Sequence, residues 1–196
     1  MKKTHRTVAF TIITMGILAM LIIWSFYNMT KKTAQKEEVP MTEVEKLIDK
    51  NIEENYPGTP RGVLKLYGRM TQCMYNEKMT EEQFEKIADQ LRLLLDNELL
   101  ENNERKAYLK NLRDDISTYH ENEEKISSYE IQLGSATHYA TIKEKEYATL
   151  KLSFLTQKAG KEKTYSKTYE QFLLRRNDGE KWKILQWKLA SEDDLE

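Results

Sequence analysis

The chain has 196 residues, 32% of them charged, with a formal net charge of −1, which suits one ordinary domain plus extensions and gives no electrostatic reason for a nucleic-acid partner. Seven Gly and three Pro exclude a collagen-like or low-complexity chain. The single cysteine, Cys73, excludes an intrachain disulfide and any CxxC metal or redox motif and reads as a small buried hydrophobe.

Residues 8–27, VAFTIITMGILAMLIIWSFY, form 20 consecutive positions without a charge. At ~1.5 Å per residue, a helix of that length crosses a hydrocarbon core of ~30 Å. Trp24 and Tyr27 end the run, where amphipathic rings favour the membrane interface. Lys2, Lys3 and Arg6 precede it, and no small-residue cleavage site follows in SFYNMTKKTA. The pattern predicts an uncleaved signal anchor. Lys31, Lys32 and Lys36 on the far side nearly balance the flanking charge. The short basic tail places the N-terminus inside and residues 28–196 outside. Setting Lys2, Lys3 and Arg6 aside leaves 28 of the 31 basic residues against 32 acidic ones, so the exported part is mildly acidic.

A polar tether, TKKTAQKEEVP, leads to a short helix in MTEVEKLIDKNIEENY, opened by a capping-box pattern at Thr42 and Glu45. YPGTP stops that helix, because a residue before proline is pushed out of the α region. Thr59 and Pro60 then start the next helix as N-cap and first helical residue. Val63, Leu66, Tyr67, Met70 and Met74 recur at steps of three and four, one helical face. NEKM breaks it. Thr80 with Gln83 opens a helix to about Leu95, with Phe84, Ile87, Ala88, Leu91 and Leu95 on its inner face. A further helix runs from about Glu104 to Tyr119.

After Lys125 the period changes. ISSYEIQL, HYATI, YATLKLSFLT, TYSKTYEQFLLRR and KWKILQWKL are rich in strand-forming residues, separated by Gly134-Ser135, KEKE, KAGK and NDGE. Helices followed by antiparallel strands define an α+β domain. In the last hairpin, Asn177-Asp178-Gly179 suits a three-residue loop with glycine in the left-handed position. Arg176 then faces Glu180, Leu174 pairs with Trp182, and Phe172 with Ile184. Trp187 is out of phase with Trp182, so either both sheet faces are covered there or, as long curved strands favour, a bulge near Leu185–Gln186 resets the phase.

Thr59, Pro60, Val63, Leu66 and Tyr67 at the front, with Asp178, Gly179, Trp182 and Ile184 at the end of a long meander, resemble the nuclear transport factor 2-like (cystatin-like) superfamily. More narrowly, the chain is similar to membrane-anchored proteins of Gram-positive bacteria with this fold. The resemblance implies a curved antiparallel sheet wrapped around the first long helix, with a cone-shaped pocket between them. Tyr67, Met70, Met74, Phe172 and Trp182 would line that pocket. The superfamily includes enzymes with Asp, His and Tyr inside the cone, such as ketosteroid isomerase and scytalone dehydratase. It also includes membrane-anchored assembly domains of secretion and conjugation machines, whose layout this chain shares.

The predicted organisation is a cytoplasmic tail 1–7, an anchor 8–27, a tether and juxtamembrane helix 28–58, an α+β domain 59–190 and an acidic tail 191–196. No Gly-rich phosphate loop, G-x-S-x-G elbow or paired-carboxylate signature is present. His120 in YHENEE has glutamate at 124 where H-E-x-x-H needs histidine, and His138 has no catalytic partner by spacing. No catalytic residue, metal ligand or cofactor is assigned. Lys167 with Tyr165 and Tyr169, and Lys151 with Tyr147 and Ser153, share strand faces by alternation. They read as a solvated sheet face, or as a surface for an anionic or sugar-like ligand. The expected function is a non-catalytic binding or assembly domain at the cell membrane. Its partners are the bilayer through residues 8–27 and an envelope complex or a second copy. The alternative is a small-molecule-binding or isomerase/dehydratase-like enzyme using the cone.

Overall fold

The computed structural model describes residues 20–25, 27, 40–160 and 163–190. The chain divides into two units, Met1–Pro40 and Met41–Glu196. In the first, residues 20–25 and 27 are helical. Most of the predicted anchor, the tail 1–7, the tether to residue 39 and the acidic tail 191–196 lie outside the described residues. Among the described residues no helix is long and apolar enough to cross a membrane.

The second unit is α+β, with helices first and an antiparallel sheet second. Helix α1 (Glu43–Ile48) has the expected capping box: Thr42 Oγ1 accepts the Glu45 N–H, and Glu45 Oε2 accepts the Thr42 N–H. It ends well before Tyr56. Asn51 Oδ1 accepts the Glu54 N–H, and such local bonds compete with helix. Gln90 Nε2 meanwhile donates to the carbonyls of Ile48 and Lys50. Val44, Leu47 and Ile52 are buried in the main core, and the Tyr56 hydroxyl donates to the Trp182 carbonyl at 2.7 Å. Residues 41–58 therefore pack as part of the domain, which begins before Thr59.

Helix α2 (Pro60–Asn76) starts as its sequence predicts, with Thr59 Oγ1 accepting the Gly62 N–H at 3.0 Å. Val63, Leu64, Leu66, Met70, Cys73 and Met74 are buried along it. Helix α3 (Glu81–Arg92) has the second capping box, Thr80 with Gln83, and buries Phe84, Ile87, Ala88 and Leu91. It stops three residues short of Leu95 because Leu94–Asp96 turns to pair with the sheet. A short helix α4 (Asn97–Glu101), absent from the sequence reading, follows with Asp96 as its N-cap. Helix α5 (Arg105–Glu121) completes the helical layer.

The strands are β1 (Glu124–Ile131), β2 (His138–Ile142), β3 (Lys145–Lys158), β4 (Thr164–Arg176) and β5 (Trp182–Ala190). The sheet order is β1-β3-β4-β5, and β2 also pairs with β3. A simple meander would pair β1 with β2. Here β1 lies against Leu152–Lys158 and β2 against Lys145–Thr149, end to end on one edge of β3. The β2–β3 connection is a two-residue turn with Lys143 at φ 49° and Glu144 at φ 64°, the primed geometry that matches strand twist. Even-numbered β3 residues from Ala148 to Phe154 face the helices together with Phe172, Leu174 and Ile184.

Helix α2 touches β1, β3 and β5. Strands spaced ~4.8 Å apart put β1 and β5 ~14 Å from each other, a width that the 17-residue helix α2 covers. The bulge expected near Leu185–Gln186 is present: Leu173 pairs with Gln186 and Leu174 with Ile184, leaving Leu185 as the extra residue. It returns Trp187 to the face of Phe172. The last hairpin is offset by two residues from the predicted register, with Arg176 opposite Trp182 and Leu174 opposite Ile184. Asn177 closes the turn rather than entering it, since its Oδ1 accepts the Lys181 N–H at 2.8 Å. The left-handed residue is Glu180, at φ 58°, in place of Gly179. A shift by two preserves strand faces, so the core residues remain those predicted.

Both sheet edges are partly engaged. Ile184 donates to the Leu94 carbonyl and accepts from the Asp96 N–H, each at 2.8 Å. On β1, the Asn76 amide takes the Ile126 N–H and donates to its carbonyl. Asp96, almost fully buried, also forms a two-point pair with Arg175 of β4, which fastens the α3–α4 connection to the sheet.

Gly68 on α2 faces the Tyr129 ring of β1, where an added Cβ would lie 2.7 Å from a ring carbon. Gly68→Ala gains ~1 kcal/mol of helix propensity but forces the ring and β1 outward, an overpacking cost of ~1–3 kcal/mol. The expected result is a net loss of stability in urea unfolding, recovered when Tyr129 is also shortened to Leu.

Candidate functional site

The site grows out of the break between β1 and β2. At that point Lys151 of β3 has no strand residue opposite it on the β1–β2 edge. Gln132 serves instead: its N–H donates to the Lys151 carbonyl and its Oε1 accepts the Lys151 N–H, each at 3.0 Å. The chain then leaves the sheet through the 3₁₀ turn Gly134–Ala136 and returns at His138. Arg61 Nε holds the excursion by donating to the Gln132 carbonyl.

The notch left behind is a cavity of about 400 Å³, lined by residues 130–133 with Lys151, Leu152, Ser153, Lys167 and Tyr169. Register explains the convergence. Glu130, Ser153 and Tyr169 stand in one row across three strands, and Lys167 is opposite Leu155 one step away. By alternation Lys151, Ser153, Lys167 and Tyr169 face away from the helices. Lys151 is only 7% exposed. Lys167 Nζ is paired with Glu130 Oε2 at 2.7 Å and stands 5.3 Å from the Tyr169 ring centre. Of the two strand faces read from sequence, Lys151, Ser153, Lys167 and Tyr169 meet here. Tyr147 and Tyr165 lie further along, opposite Arg175 and Gln157.

The five predicted cone-lining residues sit elsewhere. Met70, Met74, Phe172 and Trp182 are buried in the core, and Tyr67 packs against it. The Tyr67 ring meets Phe172 edge-on at 5.2 Å and Trp187 at 6.4 Å. Tyr67, Met70, Phe172 and Trp182 line neither the notch nor a second cavity of about 510 Å³ among α2, α3 and α5. Met74 borders that second cavity with Met79, Phe84 and Ile116, and Arg113 lies over the Phe84 ring at 4.9 Å.

Sequence reasoning missed Glu170 and Gln132. Glu170 alternates with Phe172 and Leu174 on β4 and so faces the helices, a signal available from the strand pattern. Its Oε2 is buried without a hydrogen bond among the described residues, and burial pushes its carboxyl up to about 7. Burial, with the nearby Glu170 charge next, also raises the Tyr67 hydroxyl well above its usual range. Gln132 had no signal, because its role depends on where the strand breaks. Cys73 is buried as expected, and burial pushes its thiol up to about 11, far from a reactive thiolate. His120 bonds the Tyr75 carbonyl at 2.7 Å, and His138 is exposed at the start of β2. Among the described residues no group of three or more His, Cys, Asp or Glu could hold a metal.

These features define an α+β domain in which helices cover one face of an antiparallel sheet and a polar notch lies on the other. The chain belongs to the family defined by a domain of unknown function, DUF6715, which matches residues 1–187. No curated protein matches it. Among solved structures it is similar to the intermembrane space region of the chloroplast protein ARC6, at 10% identity and a TM-score of 0.36, over 69% of this chain and 97% of that one.

Glu170 makes stability pH-dependent. Its folded carboxyl titrates near 7 against an ordinary value of 4.5, so the folded state holds the proton more tightly. Its contribution is complete below about pH 4.5 and is lost as pH rises through about 7. Glu170→Gln, compared with the parent by denaturant unfolding from pH 4 to pH 8, is expected to gain ~1–3 kcal/mol relative to it across that window.

Proposed function

We propose that this protein is a single-pass, membrane-anchored extracytoplasmic binding or assembly domain of the bacterial cell envelope, of the nuclear transport factor 2-like type and without catalysis. The observation that carries the reading is where the space lies. Tyr67, Met70 and Phe172 fill the region between α2 and the sheet as core, whereas the notch at Lys151 lies on the outer face of the sheet. A filled interior with an outward notch suits recognition of something that stays outside the fold.

The anchor rests on the sequence of residues 8–27. It is supported by Met20, Leu21, Ile22, Ile23 and Trp24, five consecutive helical residues that are all exposed. A helix that is apolar on every side belongs in lipid or in a large core. The bilayer is then the first partner, and an envelope complex or a second copy the next.

A second reading, a small-molecule enzyme of the isomerase/dehydratase kind, is favoured by one feature: the buried Glu170 carboxylate beside Tyr67. It requires Tyr67 and Phe172 to move apart to admit a substrate.

In cells, the full chain is expected to sediment with membranes, to resist alkaline extraction, and to lose residues 41–190 to protease added outside intact cells. Deleting residues 8–27 should release it to the soluble fraction. A protected C-terminal domain, or a full chain that washes off, overturns the reading.

A further inference from the structure

Lys151 is an unusual residue for the middle of a central strand. It is flanked by β4 on one side and by the Gln132 backbone on the other, and it is more than nine-tenths buried. A charge so placed is costly unless something pairs with it. Glu130, which stands opposite the neighbouring Ser153, is engaged by Lys167. Among the described residues no carboxylate pairs with Lys151, and the only hydrogen bonds at this residue are those of its backbone. Its side chain instead helps line the notch.

Two neutral donors line the same notch. Gln132 uses its Oε1 on the Lys151 N–H, which turns its NH₂ group away from that bond and leaves two donors to offer. Ser153, nearly buried, lines the notch as well. The formal charge of the lining is +1, from Lys151 and the neutralised Lys167–Glu130 pair. One negative charge balances it, whereas a second would face Glu130. The remaining walls are Ile131, Leu133 and the Tyr169 ring, and Leu133 is 72% exposed at the mouth. These surfaces suit a short organic stem.

We propose that the notch binds a carboxylate carried on a small organic group. The carboxylate pairs with Lys151 Nζ and accepts from Gln132 Nε2 and Ser153 Oγ, while its stem rests on Leu133 and Tyr169. This deepens, and rests on, the reading of the protein as a binding domain. Two sources of such a group fit the chemistry: the C-terminus of a peptide and an acidic sugar.

The test uses the full chain in lipid nanodiscs, with calorimetric titration of four probes. They are N-acetyl-alanyl-alanine, the same dipeptide as its C-terminal amide, glucuronate and inorganic phosphate. At least one carboxylate is expected to bind, and to bind at least tenfold more tightly than the amide and than phosphate. The dipeptide acid binding best assigns a peptide end, and glucuronate binding best assigns an acidic sugar. Lys151→Met keeps the apolar stem and removes the charge, and is expected to weaken that probe at least tenfold without lowering the melting temperature. Ser153→Ala is expected to weaken it two- to tenfold, which provides a second readout should Lys151→Met fold poorly. Equal binding of acid and amide, phosphate binding as tight as either carboxylate, no binding by either carboxylate, or unchanged affinity in both variants overturns the proposal. Failure here with the domain exported and membrane-held removes the carboxylate site alone. A domain found inside the cell removes the envelope reading and leaves the site to stand or fall on the titration.

Discussion

The N–H and C=O of Lys151 both point to the β1–β2 edge and have to be paired there, because the residue lies in the middle of a 14-residue strand. At that edge a single glutamine substitutes for a strand, with one bond from its main chain and one from its side chain. That substitution lets β1 stop, the chain leave the sheet, and β2 resume along the same edge. The length of β3 and the notch on the outer face are compatible because Gln132 closes this gap. A continuous edge strand would satisfy the same backbone groups but would occupy the space of the notch.

The inner and outer faces divide the work. Inside, Tyr67, Phe172 and Trp187 form a ring cluster between α2 and the sheet, with Phe172 and Trp187 stacked at 6.1 Å. The Leu185 bulge makes the cluster possible by returning Trp187 to this face. Outside, charged and hydroxyl side chains stand where a sheet usually meets water, yet Lys151 and Ser153 of β3 are almost fully buried, as is Thr156 on the other face. Thr156 faces inward and is held by the Tyr119 hydroxyl of α5 at 2.9 Å. Lys151 and Ser153 lie instead beside residues 130–133, with which they line the notch.

Local chemistry made much of this fold readable beforehand. The caps at Thr42, Thr59 and Thr80 act within four residues, so sequence alone locates them, and the five strands follow from composition and alternation. What depended on distant partners was not readable. The end of α1 is set by Gln90 from another helix, and α3 stops because Leu94–Asp96 is recruited by Ile184. The hairpin register moved by two when Asn177 Oδ1 capped Lys181 from within the turn. Alternation placed Lys151 with Ser153 and Lys167 with Tyr169, but their meeting with Gln132 required the strand break. For Tyr67, Met70, Phe172 and Trp182, spacing identified an inward face. Whether that face surrounds a void is a question of side-chain volume, which spacing does not carry.

The way the sheet ends has a bearing on how copies of the molecule behave together. An open ladder of N–H and C=O groups is a template on which another chain can build. Here Ile184 is already occupied by the backbone of Leu94–Asp96, and the Asn76 amide imitates a peptide group against Ile126. The excursion at residues 132–137 cuts the remaining border into segments of eight and five residues. The same interruption that hollows the notch therefore also shortens the runway for cross-β growth, and a sequence rich in Tyr, Ile and Thr can carry long strands without offering a long edge to fibril formation.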